Sequence, residues 1–271
     1  QLKFNRNGAT GAVTNEGDLR SALGGYIALL APEVRNQGVI VANLGTVALA
    51  AGEAYELQFD GTGALSNVRV TPATLNTLVE NKQAIQAPGG LVILSAQAVS
   101  RLQSAVVNNT GRVEATGLTR RAGRIVLEAS TKVLNTGLLN ANSGADGSPA
   151  GSVSLRGGEV ENSGTISVAA ALGNNTVNSN VGSITIEGDK FTQTASGVLN
   201  VSAVNTWAGQ VTLQVTDSIY MGGSVLANSL MGSGQSTSYV LGNAVGGQVH
   251  MKATRRIDFD GAVLDASGVD G

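Results

Sequence analysis

The chain has no cysteine, which removes thiol nucleophiles, thiolate zinc sites and disulfides together. A single histidine, His250, rules out multi-histidine metal centres and leaves room for at most one histidine-based catalytic group. Aromatics are scarce, with four phenylalanines, four tyrosines and one tryptophan, and charged residues make up only 13% of the chain. Both values are low for a globular enzyme. The 17 basic and 19 acidic residues leave a net charge of −2, so no overall positive field recruits nucleic acid or anionic lipid. No apolar run approaches the roughly 20 residues a membrane-spanning helix needs. The opening residues, QLKFNRNGAT, lack the charged and apolar regions of a signal peptide. The expectation is a soluble chain trimmed at its start.

What is abundant is glycine, 37 of 271 residues, roughly twice the usual share. That favours a turn-rich architecture over helices, while 42% hydrophobic residues are enough to bury a core and argue against disorder. A repeat runs through the chain. Its first half reads NEGDLRSA, NQGVIVAN, NKQAIQAP, NTGRVEAT, NTGLLNAN and NSGTISVA, then, more weakly, ASGVLNVS, MGGSVLAN and FDGAVLDA. Its second half reads GYIALLA, GTVALAA, GLVILSA, GRIVLEA, GSVSLRG, GSITIEG, GQVTLQV and GQVHMKA. A short third element such as EVRN, KVLN, EVEN, KFTQ, SIYM or RIDF precedes each new unit.

Apolar residues alternate with period two in each half, the mark of strands with one buried face. Val47 and Leu49, Ile125 and Leu127, Ile184 and Ile186, and Val211 and Leu213 are predicted to point inward. The glycines are read as turn positions where a positive φ would cost another residue. Three short strands in every 20 to 27 residues or so describe one coil of a parallel β-solenoid, because a meander would not repeat the same strands in the same order. About nine or ten coils at roughly 4.8 Å each give a shaft some 45 Å long. Each inward Val, Ile or Leu contributes on the order of 1.5 to 3 kcal/mol. Asn15, Asn36, Asn81, Asn109, Asn135 and Asn162 recur at one repeat position, where stacked amides form a hydrogen-bonded ladder. Ala195, Met221 and Phe259 are read as the later occupants, so the ladder is expected to stop near coil six.

Length variation is uneven. Between the marked glycine of the first strand and that of the second, the interval is 7 or 8 residues in the first three coils and 12 to 24 afterwards. One edge of the shaft therefore grows loops, where repeat proteins vary and bind. Two insertions stand apart. Tyr55, Leu57 and Phe59, an Asp-Gly turn, then Val68 and Val70 predict a β-hairpin near 55–70 that leaves the solenoid. Residues 95–107 predict a short helix. Both ends read as uncapped.

Residues 8–117, including GGYIALLAPEVRNQGVIVANLGTVALAAGEAYELQFDGTG and LVENKQAIQAPGGLVILSAQAVSRLQSAVVNNTGRVEA, resemble the later part of the secretion domain of filamentous hemagglutinin-like exoproteins of two-partner secretion. The resemblance implies a right-handed parallel β-helix, export through an outer-membrane transporter of the two-partner system, and a surface shaft used in adhesion. It divides one continuous solenoid into a secretion-domain-like segment, 1–117, and shaft repeats, 118–271. The family's early Asn-Pro-Asn motif is absent; Asn5 to Gly8 read NRNG.

The site candidates follow. Arg120, Arg121 and Arg124, joined by Lys132, form a basic group able to grip sulfated glycans or acidic partners, set against a solvated corner. Trp207 and Tyr239 are loop aromatics able to stack on a sugar or enter a partner pocket. His250 alternates outward without a partnered nucleophile, the acidic residues form no recurring carboxylate pair, and the acid-glycine turns lack calcium-loop spacing. The reading is therefore no enzyme, no cofactor and no metal, with no nucleic acid among the partners. It describes a secreted or surface-displayed adhesion shaft that meets a glycan or protein on host or neighbouring cells. The alternatives are a filament subunit associating end to end, the shaft of a contact-dependent toxin, and a polysaccharide-active β-helix.

Overall fold

The computed structural model describes residues 1–100, 102–171, 181–230 and 245–268. These residues wind into a parallel β-helix with three faces. The first face is a nine-stranded parallel sheet running from Asp18–Arg20 through Val39–Val41, Ala84–Gln86 and Arg112–Glu114 to Val263–Asp265. The second begins with Tyr26–Leu30, Thr46–Ala51 and Leu91–Ala96, and the third with Ala12–Asn15, Glu33–Asn36, Thr77–Asn81 and Ala105–Asn109. From coil four to coil seven the second and third faces are the two limbs of single bent strands, Arg124–Asn135, Ser152–Asn162, Ser183–Gln193 and Gln210–Met221. The register shifts at the bend, between Ala129 and Lys132 and between Gly188 and Lys190. Those coils have no insertion between the two faces, so nothing interrupts the strand.

The core is aliphatic, as the alternation predicts. Val47, Leu49, Leu127, Ile184, Ile186, Val211 and Leu213 are fully buried, and Ile125 nearly so. Each sits between its counterparts in the coils above and below, for example Val47–Val92–Ile125–Val153–Ile184–Val211.

The second-face glycines do a different job from the one expected. None has a positive φ. A Cβ at Gly45 would lie 2.0 Å from the carbonyl oxygen of Gly25, one coil away. These positions are glycine because two backbones pass too closely for any side chain. On the first face Gly223 does take φ 62°, and the last coil aligns Ala262 with Gly223, leaving Gly261 one residue early.

Three further expectations are corrected. The hairpin does not leave the solenoid. Its strands Ala54–Phe59 and Leu65–Thr71 pair antiparallel, fold back, and bury Tyr55, Leu57, Leu65 and Val68 against Ala48, Ala50 and Ile93 on the outside of the second face. Leu2–Asn5 adds a third strand to this layer.

Residues 95–107 form no helix among those described. Leu91–Ala96 ends as a strand, Ala98 bridges Ala73, and Ala105 starts the next strand. Side chains there serve the neighbouring coils: Gln103 Nε2 donates to Thr74 O (2.8 Å), and the Ser130 hydroxyl receives the Ala98 amide (2.9 Å).

The third correction concerns the ladder. Asn162 is aligned with Gln193, not Ala195, and then with Met221 and Phe259. The amide ladder therefore gains one rung.

Candidate functional site

Three surfaces have chemistry to offer. The first is the loop edge. Leu118 and Arg121 exchange two backbone hydrogen bonds, 2.9 and 3.0 Å, around Thr119 and Arg120. Both central residues have positive φ, 52° and 61°, the combination found in type I′ turns. Coil five holds this strained turn in place. The Thr119 amide donates to Asp146 Oδ2 (2.8 Å) and the Arg120 amide to the Ser148 hydroxyl (2.7 Å). The Ser148 hydroxyl and the two backbone donors keep the Asp146 carboxyl below the usual carboxylate range. Asp60 is held low the same way by Thr62 and the Ala64 amide. These acid-glycine segments are thus turns closed by their own aspartates.

The expected basic group is dispersed. Arg120 and Arg121 lie on the corner turn, while Arg124 heads the second face of coil four. Lys132 is on the third face, bonded to Glu161 (2.7 Å) with Glu159 at 3.8 Å, and that bond raises its pKa. Trp207, 41% exposed, is on the same edge as Arg120 but three coils on, roughly 14 Å along the axis. Tyr239 and most of the two longest loops lie outside the described residues. The edge is not merely loops. Ala170–Ala171, Ala203–Val204 and Ser229–Leu230 form a small parallel sheet of their own, with Ala150, Ala170, Ala203 and Ala208 packed together.

The second surface is the step where the hairpin layer ends. Its last strand, Leu65–Thr71, pairs with no strand beyond it among the described residues. A cavity of about 230 Å³ lies along that edge, lined by Asn67–Val70, Ser95, Gln97 and Glu128. Glu128 also lines an adjoining cavity of about 210 Å³ with Arg124, Val126, Ser154 and Arg156. Arg124 and Glu128 form no ion pair among the described residues, whereas Arg156 is paired with Glu187. Sequence reasoning missed this step, though its signal was present. Outward residues of the second face are mainly small or apolar in coil two (Thr46, Ala48, Ala50) and coil three (Leu91, Ile93, Ser95), and polar or charged from coil five onward (Ser152, Ser154, Arg156).

The third surface is the inner amide ladder, which is closed to ligands. Each asparagine donates its Nδ2 hydrogen to the Oδ1 of the next: Asn15 to Asn36, then Asn81, Asn109, Asn135 and Asn162, at 2.7 to 2.8 Å. Asn162 reaches Gln193 at 3.4 Å, and Gln193 Nε2 ends the series on the carbonyls of Gly222 and Ser224. All but Asn15 and Gln193 are fully buried, and those two nearly so. Their role is to hold the coils together.

His250 is exposed and contacts Gln248 (3.2 Å). No cluster of three or more metal-capable side chains occurs among the described residues.

No sequence-family profile matches the chain, and no curated protein matches it in sequence. Comparison of solved structures finds the HMW1 secretion domain from Haemophilus influenzae, with a TM-score of 0.72, 19% identity, and coverage of 98% of this chain and 68% of that one. At that identity the likeness is one of fold: over nearly its whole length, this chain is similar in architecture to a secretion domain.

Proposed function

We propose that the chain is the secretion-domain-like and shaft region of a two-partner-secretion exoprotein, exported through an outer-membrane barrel partner to the bacterial surface. There it serves attachment and not catalysis. The observation that carries this reading is the fold likeness to a secretion domain across 98% of the chain. The order of the segments in residues 8–117 and the continuous in-register stack support it. The mechanism is mechanical: stacked strands make a stiff column, and the edge bearing Arg120, Arg121 and Trp207 meets a glycan or protein on another cell.

Export is tested by giving the chain a periplasmic export signal and expressing it with and without two-partner outer-membrane barrels, then scoring protease accessibility on intact cells. Barrel-dependent exposure is expected; a chain that stays periplasmic with every barrel overturns the reading. For attachment, beads coated with the chain should be retained on epithelial or bacterial cells. Equal retention of uncoated beads removes that part.

A further inference from the structure

The step beside the hairpin layer has the makings of a peptide site. The Glu53 amide donates to Thr71 O (2.8 Å), so Thr71, and by alternation Arg69 and Asn67, bond inward to the strand Ala54–Phe59. In an antiparallel ladder the residues between them turn their N–H and C=O groups the other way. Val68 and Val70 therefore present two donors and two acceptors to the open edge, at the repeat of an extended chain. The cavity along that edge is open, and no strand of the described residues fills it.

A strand added there would lie over coil four, because the spacing between strands of the layer equals the spacing between coils. Its downward side chains would recur every second residue. They would meet Arg124, Val126 and Glu128, which recur every second residue on the floor: positive, apolar, negative. Neither charge is matched by an ion pair within the described chain.

We propose that this step is a strand-addition site. An extended segment of a partner protein, carrying an acidic, an apolar and a basic residue at alternate positions, pairs with Leu65–Thr71 and lies over Arg124, Val126 and Glu128. The main-chain ladder supplies affinity, and the three floor residues supply selection and direction. A saccharide is the weaker occupant: the floor carries no aromatic platform, and the edge groups are spaced for a peptide.

The test pans phage-displayed random nonapeptides against the full chain and titrates the enriched synthetic peptides by fluorescence anisotropy. The expected peptides alternate acid, apolar, base. Val70→Pro removes an N–H that points away from the hairpin partner and weakens binding about tenfold or more, a change of about 1.4 kcal/mol. Arg124→Glu combined with Glu128→Arg changes only the floor and inverts the preferred charge order at retained affinity; it decides the matter alone if Val70→Pro does not fold. No enrichment, or enriched peptides indifferent to the charge exchange, overturns the proposal. So does a heparin or hyaluronan hexasaccharide that displaces the peptides and binds Val70→Pro as well as the parent.

Discussion

Coils one to three and coils four to eight follow the same winding rule but solve the outside of the second face differently. In the early coils the outward positions are small or apolar, and a three-stranded layer covers them; Thr46–Ala51 is buried on both faces. In the later coils the equivalent positions are polar apart from Val126, no described strand covers them, and the added length goes to the loop edge, where it builds a small sheet. The lesson is that the inward pattern specifies the helix while the outward pattern specifies what is laid upon it. Period-two alternation reports only the first.

The strongest test places one substitution at equivalent positions of the two regions. Ala48 is fully buried beneath the hairpin, and its counterpart two coils on from Ile93 is Ser154. Ala48→Asp strands a charge and should cost about 3–5 kcal/mol, whereas Ser154→Asp should stay within about 0.5 kcal/mol. Urea unfolding of both variants measures the difference; equal costs would erase the distinction between the regions.

Next in size is Asn109→Ala, at the junction of the regions. It leaves the Asn81 donor and the Asn135 acceptor without their partner, at about 2–3 kcal/mol. It should also split one melting transition into two, which calorimetry would see.

Tyr55→Phe is smaller, about 1–2 kcal/mol, because it removes the hydroxyl that receives the Gly52 amide (3.1 Å) and donates to the Gly52 carbonyl (2.9 Å). Burial raises the Tyr55 pKa. Its contribution is whole below the ordinary tyrosine value and is lost as pH rises through the raised one. The hairpin layer should therefore loosen in alkali, and Tyr55→Phe should abolish that dependence in amide exchange of residues 54–71.

The smallest effect belongs to the loop edge. With its pKa lowered, Asp146 supports the 118–121 turn above the ordinary carboxylate range and releases it as pH falls through the lowered value. Exchange at Thr119 should quicken in acid, and Asp146→Ala should show the fast rate at every pH.

The strands, their order and their inward faces were legible because burial on one side imposes a two-residue period that nothing else imitates. What was not legible depended on neighbours distant in sequence. Gln193 was passed over for Ala195 because the corner between the third and first faces is two residues longer in that coil, from Gln193 to Val198 against Asn162 to Thr165, though an amide at the rung was the better chemical clue. The 95–107 segment reads as helical by composition, yet its alanines enter the core and its polar residues bond to adjacent coils. Arg120, Arg121, Arg124 and Lys132 are close in sequence and part ways in space because the chain turns two corners among them. The step at Glu128 needed the outward residues of successive coils to be compared, which no single strand reveals.

One consequence of the amide ladder concerns how the molecule is made. Every carboxamide in it points the same way, so a partly wound chain carries an idle N–H at its growing face. An incoming turn of the right phase meets that hydrogen with an oxygen; one slipped by a residue buries it unmet. If winding proceeds from the amino-terminal end, the ladder checks each turn before the next engages, as a ratchet checks each tooth.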